Sequence, residues 1–220
     1  PTNYYTYRGP LIEEARTNLV TGSDSFGDGV DWAGDTPFTL ASALSIFAGR
    51  TAWKHTNDGA SVRSRYEDIG TFVSGQTDVV WAIVENVDAT TTRVGIFDLT
   101  NLTTVHFADL QWATGSFSTA EGTGGVFSID LGTGPNGGSC WLIGVTSTGV
   151  ASGNGGAGNI RRFYIYPSAA TLNTESAIIH HAQFEANASA PSSAIITPTG
   201  STVTRNADVL SYDTANWFAD

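Results

Sequence analysis

The chain of 220 residues is 40% hydrophobic and 11% aromatic, enough to bury a core, yet only 14% of it is charged and it holds 25 glycines. That neutral, turn-rich balance predicts β-structure and excludes helical bundles and disordered chains. The formal net charge of −11, with Lys54 the single lysine, excludes a nucleic-acid or phosphate binder, which needs a basic footprint to release counterions. Residues 1–16, with Tyr4, Tyr5 and Tyr7 ahead of a Gly9-Pro10 turn, are expected to form an N-terminal arm. Residues 17–186 are expected to form the sandwich, and 187–220 a polar loop and exit segment. After Thr17-Asn-Leu-Val20 comes a loop from Thr21 to Gly34 rich in Gly, Asp and Ser. Length and Thr/Ile content then favour a strand within Phe38–Phe47. From Gly70 onward short runs follow one another: 77–85, 92–99, 103–112, 125–131, 139–147 and 160–166. Each is rich in β-branched or aromatic residues and bounded by Gly, Asn, Ser or Thr. The Gly149–Asn159 segment reads as a mobile surface loop. Strands at this spacing, without heptads or 20–50-residue repeats, predict an all-β, antiparallel two-sheet β-sandwich, a jelly roll.

The last run, Ser176–Glu185, alternates. Ile178, His180, Ala182 and Phe184 would share one face and Ile179, His181, Gln183 and Glu185 the other. Past it the chain is rich in Ala, Ser, Pro and Thr, before a segment ending in Trp217 and Phe218. That tail is expected either to open a following module or to dock back as a strand. Cys140, beside Trp141, Leu142 and Ile143, reads as a buried thiol and, alone, forms no internal disulfide. No apolar run approaches the roughly 18 residues of a membrane span, and no signal peptide stands at Pro1. The lack of methionine suggests a piece excised from a longer protein.

A neutral polysaccharide is not repelled by this charge, whereas an acidic one is, unless Arg161 and Arg162 make a local basic spot. Sugar rings pack their axial C–H bonds on exposed aromatic faces flanked by planar donors and acceptors. Arg162, Tyr164 and Tyr166 alternate with the core-like Phe163 and Ile165 and so share a face, the best such cluster in the sequence. Trp81, with Glu85 on its face, and Trp112, after Gln111, are further ligand candidates, weighed against the burial usual for large aromatics. His180 and His181, adjacent on a strand, are expected to face opposite ways and not to share a metal; nothing resembles zinc-ligand spacing. Asp24, Asp28 and Asp31, in a loop with Asp35 and several glycines, make a candidate calcium site without EF-hand order. Glycosidase chemistry needs two paired carboxylates. Glu13/Glu14, Glu67/Asp68 and Glu121 are present, but nothing in the sequence pairs them. The Asn-Gly-Gly stretches read as turns rather than phosphate cradles.

Two landmarks near the ends carry a resemblance. Leu11-Ile-Glu-Glu-Ala-Arg-Thr-Asn-Leu-Val20 resembles the "EEARTNL" stretch of bacteriophage tail-fibre and head-spike proteins with carbohydrate-binding jelly-roll modules. His181-Ala-Gln-Phe-Glu185 and Thr204-Arg-Asn-Ala-Asp-Val-Leu210 are similar, in order and separation, to that family's closing "GAQLE" and "TRAADVL". His180 stands where an aromatic is usual and His181 where glycine is usual, so the pattern departs there. The resemblance implies a lectin-like, non-catalytic sugar-binding module, in the manner of concanavalin A or galactose-binding sandwiches. It would sit on a virion surface, as in a tail fibre, or in a secreted multimodular enzyme, with a polysaccharide or cell-surface glycan as partner and structural calcium a common companion. His181 and Gln183, on the polar face of the Ser176–Glu185 run, join the candidate ligand residues. The alternatives are a fibre assembly domain that ignores sugars, forming a homo-oligomer through its parent fibre, and a polysaccharide lyase or hydrolase.

Overall fold

A computed structural model describes residues 13–27, 29–34, 39–58, 63–122, 124–169 and 174–207. The candidate Asp28 and the tail holding Trp217 and Phe218 lie outside the described residues. The described residues hold fourteen strands: β1 (Arg16–Asn18), β2 (Ala33–Gly34), β3 (Thr39–Leu44), β4 (Thr51–Thr56), β5 (Arg65–Thr71), β6 (Thr77–Asn86) and β7 (Thr91–Asp98), continuing with β8 (Thr103–Gln111), β9 (Ser116–Gly122), β10 (Val126–Thr133), β11 (Ser139–Thr148), β12 (Ile160–Tyr166), β13 (Ser176–Ala186) and β14 (Val203–Arg205). They form two antiparallel sheets, the expected β-sandwich. The first runs β10-β11-β6-β13 and then forks. β4 and β3 add to the Ser176–Ile179 half of β13, and β1 with β14 to its Glu185 end. The second runs β2-β5-β12-β7-β8-β9. The chain crosses between sheets from β4 to β7 at every step, which is the jelly-roll habit.

Alternation selects the inner faces. Val80, Ala82 and Val84 of β6, Val94 and Ile96 of β7, Phe163 and Ile165 of β12, and Ala182 and Phe184 of β13 meet in one inter-sheet core. Unbroken apolar runs are buried on both faces, and β6 is such a strand. Its other face, Val79, Trp81 and Ile83, joins Cys140 and Ala188 in a second cluster, flanked by Phe47 and Ala194. The thiol is buried as expected, and burial pushes its pKa up to about 12. Arg161 turns inward and ties the sheets, its Nη1 donating to Asp78 Oδ2 at 2.7 Å and its Nε to the Ile69 carbonyl at 2.6 Å. Arg162 faces the other way, so the two arginines do not make the local basic spot that an acidic polysaccharide would need.

β13 carries a correction. A bulge between Ile179 and His181 shifts its register against β6, and a bulge places two consecutive residues opposite one. The inner phase therefore changes from Ile179 to Ala182 and Phe184, and His180 leaves the apolar face. Both histidines meet the same β3–β4 turn instead of facing opposite ways. His180 Nδ1 accepts from the Ile46 N–H at 3.3 Å, and the Phe47 ring lies 5.6 Å from that of His181.

The chain beyond β13 belongs to the sandwich. Ala188, Ile195 and Thr197 are buried, and β14 pairs back onto β1. The Gly149–Asn159 loop is knitted to its surroundings: the Asp98 carboxylate accepts from the Asn101 and Gly155 N–H groups and the Asn101 and Asn159 amides. Burial works against that charge, but these hydrogen bonds hold the Asp98 carboxyl below the usual carboxylate range.

Candidate functional site

The outer face of the second sheet carries a cleft of about 150 Å³. That is well above the 10–15 Å³ that admits one water. Four strands build it through their register. Tyr66 of β5 lies opposite Tyr164 of β12, which lies opposite Gly95 of β7, which lies opposite Phe107 of β8. On either side of this row, Arg162 faces Phe97 and Tyr166 faces Arg93. Arg162, Tyr164 and Tyr166 therefore come together as their alternation predicts. Tyr66, Arg93, Phe97 and Thr104 join them from neighbouring strands.

Tyr164 is the floor. It is 5% exposed, packed edgewise against Tyr166 at 5.3 Å and Phe97 at 6.5 Å. Gly95 makes this possible, because a Cβ there would stand 2.6 Å from the Tyr164 hydroxyl and 2.7 Å from the His106 carbonyl oxygen. That hydroxyl lies beside Thr104 without completing a hydrogen bond, and burial raises its pKa. Tyr66, Phe97 and Tyr166 are half-buried walls.

Each arginine of the cleft is fixed on two sides. Arg93 donates from Nε and Nη2 to the two oxygens of Asp109 at 2.6 and 2.8 Å, and its guanidinium lies 3.8 Å from the Phe107 ring centroid. Arg162 donates likewise to Asp68 at 2.7 and 3.2 Å and lies 3.8 Å above the Tyr66 ring. Bidentate pairing and stacking hold a guanidinium in one plane. Each positive charge is matched by a carboxylate, so the cleft offers planar donors and aromatic faces with little net charge.

The other sequence candidates do not reach the cleft. Trp81 is 1% exposed, its Nε1 donating to Glu185 Oε1 at 3.0 Å. Trp112 is half-buried, its Nε1 donating to Thr92 Oγ1 at 2.9 Å. His181 and Gln183 are fully buried. The Gln183 Oε1 accepts from His181 Nε2 at 3.1 Å and from the Ile195 N–H at 2.7 Å, while its amide donates to Glu185 Oε1 and Ser192 Oγ. Burial lowers the His181 pKa to about 4, so the ring is neutral. His180 is neutral for the same reason, burial outweighing Glu85, and because Nδ1 accepts, its Nε2 carries the proton toward Glu85 Oε2 at 3.1 Å. The Asn136-Gly-Gly138 turn closes over that carboxylate, the Asn136 and Gly138 N–H groups donating to Glu85 Oε1 at 3.0 and 2.8 Å. The turn does cradle an anion, but one supplied by its own chain.

Of the calcium candidates, Asp24 lies 3.5 Å from Arg50 Nη1, whereas Asp31 accepts from Thr21 Oγ1 at 2.8 Å and the Gly200 N–H at 2.9 Å. These two aspartates turn to different partners. Among the described residues no group of three or more His, Cys, Asp or Glu is placed to hold a metal ion.

The residues missed by the sequence reading had a signal of the same kind. Arg93, Gly95 and Phe97 alternate with Val94 and Ile96 just as Arg162, Tyr164 and Tyr166 alternate with Phe163 and Ile165. What the sequence does not show is that β5, β12 and β7 are neighbours.

The chain matches no family model and no curated protein. Among solved structures it is similar to the enzymatically active domain of tailspike protein 4 of bacteriophage CBA120, at 15% identity and TM-score 0.46, covering 77% of this chain and 21% of that one. It is also similar to the CBM22-1–GH10 modules of Clostridium thermocellum xylanase 10B complexed with xylohexaose, at 12% identity and TM-score 0.45, covering 83% and 30%. A third is a cyclase from Fischerella sp. TAU, at 9% identity and TM-score 0.44, covering 83% and 89%. The chain thus spans under a third of the length of the first two proteins.

Proposed function

We propose that this protein is a non-catalytic carbohydrate-binding module, whose cleft on the outer face of the second sheet takes a neutral saccharide. One observation carries the reading: a tyrosine floor between two stacked arginines, each already neutralised by an aspartate. A sugar ring needs an apolar face for its C–H bonds and fixed donors for its hydroxyls, and Tyr164, Tyr166 and Phe97 with Arg93 and Arg162, all lining the cleft, supply both. Because Asp109 and Asp68 cancel the arginine charges, a hydroxyl-rich neutral glycan suits the cleft better than a uronic acid or a phosphate. Its fixed side chains mean that little ordering entropy is lost on binding.

The carboxylates support recognition rather than hydrolysis. A glycosidase needs one carboxyl held protonated opposite another, whereas Asp68 and Asp109 are both paired bidentately. Glu67, whose pKa burial raises to about 7, precedes Asp68 on β5 and so projects to the opposite face, toward Thr21. The resemblance of the two end landmarks adds a setting, a virion surface or the outside of a cell.

Affinity gel electrophoresis through neutral polysaccharides tests the reading. The parent protein is expected to be retarded by at least one of them and the Arg162→Ala, Tyr166→Ala double variant not. New reducing ends would overturn the non-catalytic reading, and a stable oligomer that ignores every glycan would favour the assembly domain. Structural calcium is a separate proposal resting on the sequence alone. A fall in Tm on adding EDTA supports it, and an unchanged Tm removes it.

A further inference from the structure

A second cleft, of about 320 Å³, lies against β4, sharing no residue with the first; it is lined by Asp24, Ser25, Gly49, Arg50, Thr51 and Trp53. Trp53 packs partly on the inter-sheet core. Gly27 lies flat against its ring, where a Cβ would stand 2.2–2.4 Å from the indole carbons. The indole is therefore clamped rather than free to swing. Beside it, Asp24 is only 7% exposed yet lines the cleft, while the Arg50 side chain is 48% exposed and approaches it at 3.5 Å.

The loop that presents Asp24 and Ser25 is pinned on both sides. The Ser23 N–H donates to Thr197 Oγ1 at 2.9 Å and the Thr197 N–H to Ser23 Oγ at 3.0 Å. The Ser23 carbonyl accepts from the Ala182 N–H at 2.9 Å, and Arg65 Nη2 donates to the Phe26 carbonyl. Asp24 and Ser25 are thus fixed to β13 and β5 before any ligand arrives.

We propose that this cleft is a second saccharide-binding subsite, in which the Trp53 indole stacks a sugar ring and Asp24 and Arg50 hydrogen-bond its hydroxyls. Charge decides the ligand class. Arg50 opposes a quaternary or lysine-type cation that an indole and a carboxylate would otherwise attract, and Asp24 opposes a phosphate or sulfate. A neutral polyhydroxylated ring satisfies both. The 3.5 Å separation is looser than the bidentate pairs of the first cleft, leaving guanidinium donors and carboxylate lone pairs for hydroxyl groups. The ligand class rests on the sugar-binding reading of the first cleft, but the residues do not.

The test is an NMR titration of protein carrying 15N-tryptophan and 13C-tyrosine, with neutral hexaoses of glucose, xylose and mannose at up to ~10 mM, above the millimolar Kd of a weak site. Trp53→Phe assigns the Trp53 Nε1–H signal. The expected result is a saturable shift of that signal with at least one hexaose. Kd should weaken about fivefold or more in Arg50→Ala and in Asp24→Asn and stay within about twofold in Tyr166→Ala, one lost hydrogen bond being worth about 1 kcal/mol. Shifts confined to the tyrosines of the first cleft overturn the second subsite and leave the first reading standing. A Trp53 shift without tyrosine shifts does the reverse. No shift at Trp53 with any hexaose, or one indifferent to both Arg50→Ala and Asp24→Asn, overturns the proposal.

Discussion

The Thr21 hydroxyl stands 2.8 Å from both Glu67 Oε1 and Asp31 Oδ1, and it has one proton to give. The arrangement is complete when a neutral Glu67 donates to Thr21, which donates to Asp31. Burial, with Asp31 and Asp68 nearby, accordingly raises the Glu67 pKa to about 7 despite the hydrogen bond from the Thr21 N–H. Between pH 4.5 and 7 the folded state therefore holds a proton at Glu67 that the unfolded state has lost, so this group's contribution to stability declines as pH rises. The buried histidines act oppositely. His55, His180 and His181 all have lowered pKa values, so the stability they contribute is present above pH 6.5 and is lost on acidification. Glu67→Gln should therefore steepen the acid-side loss of stability between pH 7 and 4.5, and raise stability above pH 7 by no more than about 3 kcal/mol. Urea denaturation across that range checks both, and an unchanged pH profile would contradict the proton at Glu67. None of this was legible in the sequence, where Thr21, Asp31 and Glu67 are merely polar residues in separate segments.

Two elements carry the fold's closure and the cleft's shape. Asn18, fully buried on β1, donates to the carbonyls of Ala182 and Ile195 at 3.3 and 2.9 Å and accepts from the N–H groups of Phe184 and Val20 at 3.0 and 3.1 Å. Glu13 accepts from Arg205 and from the Ser193 N–H and hydroxyl. The terminal landmarks that resemble the phage family therefore form one polar clasp, joining residues about 170–190 positions apart. Asn18→Ala should cost about 3 kcal/mol in urea denaturation, because it strands buried backbone donors, while Thr17→Ala at the exposed Thr204 contact should cost under about 1 kcal/mol. On β7, Gly95→Ala should destabilise by about 1–3 kcal/mol through overpacking against Tyr164 and also abolish retardation in the affinity gel. Loss of stability without loss of binding would detach Gly95 from the site. The alternation of β7 and β12 could be read directly, since each apolar stripe meets an opposing sheet. The β13 bulge could not, because a period of two carries no mark of the residue that breaks it. It is why both histidines stand together under the β3–β4 turn.

Across the whole molecule, the two faces differ in how they are used. The outer face of the first sheet is covered by the chain's own segments, the 45–50 turn and the run through Ala188 and Ala194, which bury Trp81, His181 and Gln183. The outer face of the second sheet leaves its aromatic and guanidinium row open as a cleft. Trp81, His181 and Gln183 look like binding residues in the sequence because polar and aromatic side chains outside an inter-sheet core are normally solvated. The 45–50 turn and the later polar segment, folding over them, make them interior. The account stands most directly on the tyrosine ring signals of Tyr66, Tyr164 and Tyr166 during titration with neutral oligosaccharides. It predicts saturable shifts of these three, lost in the Arg162→Ala, Tyr166→Ala variant, with the oligosaccharide recovered intact. Rings that stay unmoved by every neutral oligosaccharide, or a ligand that is cleaved during the titration, would contradict it.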